Sequence, residues 1–114
     1  MDPGAARAEL AAASTDGVVH ELRIDRSNRI VACGDSLAEH RGALVGAGLP
    51  AIEAAFATWL GGGLTDYRVE AVTEDRSDAE ADFPDGRVRI AAVAVRGPDG
   101  WADEVCYLLA RVPS

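Results

Sequence analysis

Lysine is absent from this chain: every one of its 11 Lys-plus-Arg positions is arginine. Asp and Glu number 19, and the formal net charge is −8. Phosphate neutralisation needs a basic patch, so this balance argues against nucleic acid and anionic lipid as partners. A P-loop needs lysine, so the "GAG" and "GGG" segments are not read as phosphate cradles. Aromatics make up only 5% of the 114 residues, which makes each large ring a candidate core anchor. Two cysteines, Cys33 and Cys106, are too few for a disulfide scaffold or a cysteine-based zinc site. They are read as buried free thiols, and a cytoplasmic location is expected. No apolar run approaches the roughly 20 residues of a membrane helix, and no basic region precedes a hydrophobic stretch. Membrane insertion and secretion are therefore not expected. Arginine without lysine, with heavy use of Ala and Gly, suggests a GC-rich bacterial genome.

What is present is an antiparallel pattern. Asp85-Gly86 and Asp99-Gly100 divide the back half into three β-like runs, residues 67–73, 87–96 and 102–112. Asp-Gly between alternating apolar segments is a strong hairpin signal, because both residues tolerate positive φ. The acidic stretch 74–85 between the first two runs reads as a long solvated loop. It lacks the regular spacing of a calcium loop. Residues 18–25 and 29–33 read as two further strands around an Arg26-Ser27-Asn28 turn.

Helical signals lie at the start and in the middle. An Ala-rich helix is expected up to Ala13, ended by Ser14-Thr15-Asp16-Gly17; Leu10 is its one large apolar residue. Asp35 or Ser36 caps a short helix over residues 37–44, with Glu39 placed for a reciprocal bond. Residues 51–60 put Ile52, Ala55, Phe56 and Trp59 on one helical stripe, stopped by the three glycines. The expected class is α+β: a five-stranded antiparallel sheet with helices between strands two and three. Residues 1–16 are expected as a helical extension and 17–114 as the domain.

In this order, "IDRSNRIVACGDSLAEHRG", "ALVGAG", "YRVEAVT", "DGRVRIAAVAV" and "PDGWADEVCYLLARV" resemble a PAS domain. Asp25, Arg29-Ile30-Val31, Ser36 and Gly42 hold places that match the family pattern. The family's Asp-Ile-Thr exit after the last strand is replaced by Arg111-Val112-Pro113-Ser114. Flavin-binding members carry a reactive Cys in a Gly-Arg-Asn-Cys-Arg-Phe-like segment, and haem-binding members an axial His on the central helix. Neither has a counterpart here, so no cofactor is expected.

No catalytic constellation emerges. His20 and His40 lack the convergent partners of a zinc site. No serine lies in a nucleophile elbow. The resemblance implies a non-catalytic sensory or protein-interaction module of a bacterial signalling protein. A small ligand would sit between sheet and helices, against Leu22, Ile24, Ile52, Phe56, Trp59 and Ile90. An output domain or signalling partner would read the change.

Alternation in strand 87–95 adds one expectation. Val88, Ile90, Ala92 and Ala94 share one face, while Ala91, Val93 and Val95 make the other face apolar too. An antiparallel sheet open to water on one side alternates more cleanly. The N-terminal helix or a second subunit must therefore cover the outer face, and a homodimer is expected. Two other readings stand beside the sensor. One is a structural dimerisation domain with a filled core. The other is a small α+β barrel isomerase or cyclase, for which Asp103 and Glu104 are the adjacent strand carboxylates.

Overall fold

The computed structural model describes residues 3–27, 29–34, 42, 45–46, 73–83 and 86–113. Helix α1 spans Pro3–Ala13, and the strands are β1 His20–Asp25, β2 Ile30–Cys33, β3 Arg76–Phe83, β4 Gly86–Arg96 and β5 Ala102–Val112. They form one antiparallel sheet in the order β2-β1-β5-β4-β3. The first and last strands of the chain are thus central neighbours. Among the described residues no helix is long and apolar enough to cross a membrane.

Local chemistry accounts for the turns. Asp25 closes the β1–β2 hairpin: its Oδ1 accepts from Ser27 N at 2.8 Å and Arg29 N at 3.1 Å. The β4–β5 turn closes through Gly97 N to Trp101 O at 2.8 Å and Trp101 N to Asp99 Oδ1 at 3.1 Å. Gly100 sits there at φ +83°, a conformation glycine adopts without strain. Both features match the Asp-Gly signal at residues 99–100.

The acidic stretch is a correction. Residues 76–83 are not a solvated loop but the edge strand β3, paired with β4 from Arg76↔Val93 to Phe83↔Gly86. Glu80 lies opposite Arg89, and its carboxylate is 2.7 Å from Arg89 and 3.2 Å from Arg87. Opposite charges directly across an antiparallel pair stabilise it, which offsets the poor strand propensity of Asp and Glu. Gly86 is consequently the first residue of β4 rather than part of the turn. Thr73 and Glu74 are helical, so the strand expected over 67–73 does not include Thr73. Residues 67–72 lie outside the described set. Of the helix expected over 37–44, Gly42 is described and is helical. The helix expected over 51–60 lies outside the described residues, so its place between strands two and three does as well.

Both faces of the sheet are buried. Registers put Leu22, Ile24, Ile90, Ala92, Ala94, Val105, Tyr107 and Leu109 on the inner face. Each is at most 2% exposed. The outer face carries Ala91, Val93, Cys106, Leu108 and Ala110, and α1 lies across it through Ala6 and Leu10. Coverage of this face by the N-terminal helix is one of the two solutions that the apolar alternation demanded.

Candidate functional site

Three of the six expected pocket residues share the inner face. Leu22 and Ile24 project from β1 opposite Tyr107 and Val105, and Ile90 projects from β4 opposite Leu109. Ile52, Phe56 and Trp59 lie outside the described residues. Among the described residues two grooves open elsewhere. One, of about 480 Å³, is lined by Glu9, Leu10, Arg76, Asp78, Glu80 and Arg89 beside the β3 rim. The other, of about 580 Å³, lies along β2 and is lined by Val31, Ala32, Cys33, Gly42 and Val45. Neither contains Leu22, Ile24 or Ile90.

The outer face holds a polar junction that the sequence reading did not identify. At about 100° per helical residue, Ala6 and Leu10 point to one side and Arg7 and Glu9 fall on opposite shoulders. Arg7 forms an ion pair with Glu21 of β1. Glu9 pairs with Arg76 of β3 at 2.5 Å. The apolar seam is thus bracketed by two charge contacts on opposite sides. Glu21 also accepts from the Cys106 thiol, with Sγ to Oε1 at 3.1 Å, and lies 3.9 Å from Arg23. Three elements converge on this one carboxylate: α1, β1 and β5.

Burial pushes the Cys106 thiol up to about 12, with the hydrogen bond to Glu21 and the charge of Glu21 adding to the effect. A thiol so raised is inert as a nucleophile at neutral pH. Burial would raise the Glu21 carboxyl as well. The hydrogen bonds from Cys106 and Arg7 and the charges of Arg7 and Arg23 outweigh it and hold Glu21 below its ordinary value. Burial also lowers His20; the Asp16 carboxylate opposes this and Arg111 adds to it. Cys106 is buried as expected, whereas Cys33 is only half-buried; neither is in a disulfide.

Among the described residues no cluster of His, Cys, Asp or Glu is arranged to hold a metal ion. The carboxylates considered for an enzyme are not a buried pair. Asp103 Oδ1 takes Arg26 NH2 at 2.7 Å with half its side chain exposed, while Glu104 lies 4.0 Å from Arg23. Trp101, at the turn beside them, is 69% exposed.

No protein-family model matches the sequence. No curated protein matches it either. Solved structures do match in fold. A sensory box sensor histidine kinase from Vibrio cholerae aligns over 98% of this chain and 94% of its own, with a TM-score of 0.70 and 12% identity. A PAS domain from Colwellia psychrerythraea aligns over 97% and 98%, with a TM-score of 0.58 and 13% identity. The photoactive yellow protein domain of a sensor histidine kinase from Rhodospirillum centenum aligns over 82% and 84%, with a TM-score of 0.54 and 20% identity. With its strand order and a helix across the outer face, the chain has a PAS-like α+β fold.

Proposed function

We propose that this chain is a sensory or protein-interaction module of a bacterial signalling protein, without catalysis of its own. It binds a small apolar or mixed ligand between sheet and helices, acts in the cytoplasm as a homodimer, and passes its state to an output domain or signalling partner. The observation that carries this reading is the fold shared, over nearly the whole of both chains, with a sensor histidine kinase domain. The proposed ligand sits against the apolar inner face, with Leu22, Ile24 and Ile90 as its sheet wall. Ile52, Phe56 and Trp59 are proposed as the opposite wall from their helical spacing.

The central strands favour transmission. Leu22 and Tyr107 are directly opposite on the inner face, and their chain neighbours Glu21 and Cys106 meet on the outer one. A ligand that binds one β1–β5 arrangement better than another shifts the population by that difference in affinity. Because α1 covers the apolar strip, the proposed dimer through the outer face includes α1 in its contact.

A second reading, a structural dimerisation domain with a filled core, is favoured by the complete burial of Ile24, Ile90, Ala92 and Ala94. Native mass spectrometry of protein purified from its own host separates the two. The expected species is a dimer with a retained small molecule. A ligand-free dimer favours the second reading, and an empty monomer defeats both.

A further inference from the structure

Trp101 stands at the β4–β5 turn with 69% of its surface exposed, although tryptophan is on average well covered. Single exposed apolar side chains are common and by themselves carry nothing. What distinguishes Trp101 is how it is mounted. Gly97 N donates to Trp101 O at 2.8 Å, and Gly100 N to Gly97 O at 3.0 Å. Trp101 N donates to Asp99 Oδ1 at 3.1 Å, and Arg96 Nη1 to Gly100 O at 2.9 Å. The turn is therefore ordered by folding, and a partner meets a ring already in place. A large rigid ring held in this way is the residue type that most often anchors a protein interface.

Charge selects the partner. Asp99 and Asp103, two residues to either side of the ring in sequence, share one guanidinium. Arg26 Nη2 is 2.7 Å from Asp103 Oδ1 but 4.0 Å from Asp99 Oδ2. Both carboxylate side chains are more than half exposed, at 51% and 59%. Trp101 thus adjoins one carboxylate in excess, on a chain of net charge −8. A cation over an indole face is attracted by the ring, and Asp99 attracts the same cation. Phosphate is repelled, which disfavours nucleic acid and anionic lipid. A second copy would bring the same excess to the same place.

We infer that the β4–β5 turn is a docking surface for a basic, arginine-bearing segment of a partner protein, with Trp101 as its anchor and Asp99 as the counter-charge. An extended segment with arginine at alternate positions places successive guanidinium groups on one side, roughly 7 Å apart. One rests on the indole and the next reaches Asp99. The surface goes beyond the sensory reading and holds equally for a domain without a ligand.

The test titrates a short peptide of alternating Arg and Ala into the isotope-labelled full chain, with an alternating Glu and Ala peptide as control. Amide shifts should saturate with a Kd below about 1 mM, centre on residues 97–103 and weaken with salt. Trp101→Ala should weaken binding about tenfold. Asp99→Asn keeps an acceptor for Trp101 N and removes the charge, and should weaken it about threefold. Arg26→Gln frees the second carboxylate and should tighten it about threefold, whereas a merely structural role for Arg26 predicts weakening. The inference is overturned if no saturable shift appears below about 1 mM, if the shifts spread to the acidic residues of β3, if Trp101→Ala leaves them unchanged, or if the Glu peptide binds as well. Loss of oligomer mass in Trp101→Ala on sedimentation would make the occupant a second copy and overturn it too. Should Trp101→Ala fail to fold, the position of the shifts and the Asp99→Asn and Arg26→Gln responses still decide.

Discussion

Cys106 donates a hydrogen bond of 3.1 Å to Glu21 across the β5–β1 boundary, on a diagonal of the ladder rather than between facing residues. Directly opposite Cys106 is Arg23, and opposite Glu21 is Leu108. The diagonal therefore reads the relative position of two central strands. Its ends are chain neighbours of Tyr107 and Leu22, which face the inner side.

The buried thiol makes stability fall in alkali. An ordinary cysteine ionises near 9.0, whereas Cys106 does so at about 12 in the folded chain. Between those values the unfolded chain gives up a proton that the folded chain retains, so rising pH favours unfolding. The stabilisation is fully present below pH 9 and is lost at up to about 1.4 kcal/mol per pH unit above it. Urea midpoints at pH 8, 9 and 10 should show this slope in the native sequence and lack it in Cys106→Ala. Equal slopes in the two proteins would remove Cys106 as the cause.

The Glu21 carboxyl acts in the opposite direction. Its folded value lies below the ordinary 4.5, so the folded chain binds this proton less readily than the unfolded one. The contribution is present above about 4.5 and declines as pH falls through the depressed folded value. Protonated Glu21 no longer offers Arg7 a full charge, so α1 should loosen before the sheet does. Amide exchange of residues 3–13, corrected for intrinsic pH dependence, should show less protection at low pH than at pH 6. Unchanged protection of α1 across that range would rule this out.

Leu10→Ala tests the seam. Emptying a buried leucine site costs about 2–5 kcal/mol in most cores. The lower end is expected here, because Leu10 is the single large side chain of α1 and the helix can lift instead of holding a cavity. Circular dichroism should show loss of helix, with the cooperative unfolding of the sheet retained. A loss of 5 kcal/mol with helix content unchanged would mean that α1 is an integral part of the fold.

The legible parts of this molecule are those where local pattern and tertiary pairing agree. Strand β5 occupies the expected residues 102–112, and β4 differs by one residue at its start, because alternation and an Asp-Gly turn specify both. The N-terminal helix ends at the expected Ala13, where helix formers give way to Ser-Thr-Asp-Gly. The segment of β3 reads as a loop because Asp, Glu and Ala disfavour strands locally. Its stabilisation comes from Arg87 and Arg89 on the next strand, a tertiary term absent from the segment itself. The period-two spacing of Asp78, Glu80 and Asp82 was the available signal. Glu21 and Cys106 are 85 residues apart, and no sequence spacing reveals that they meet. The shoulder positions of Arg7 and Glu9 around Ala6 and Leu10 were readable from helical geometry alone.

Gly97 and Asp103 provide a coupled test at the β4–β5 turn. A Cβ added at Gly97 would lie 2.1 Å from Asp103 Oδ2. A free carboxylate would rotate away at little cost, but Asp103 is held by Arg26, which also reaches Ala102 O at 3.3 Å. Gly97→Ala must therefore displace Asp103 and break a latch between the β1–β2 and β4–β5 turns. An exposed ion pair is worth about 1 kcal/mol at most, which sets the expected loss. In an Asp103→Ala background the same substitution meets no carboxylate and should cost close to nothing. A double-mutant cycle on urea unfolding measures the difference directly. Additive effects of the two substitutions would show that Asp103 yields freely and that the latch contributes nothing to the turn.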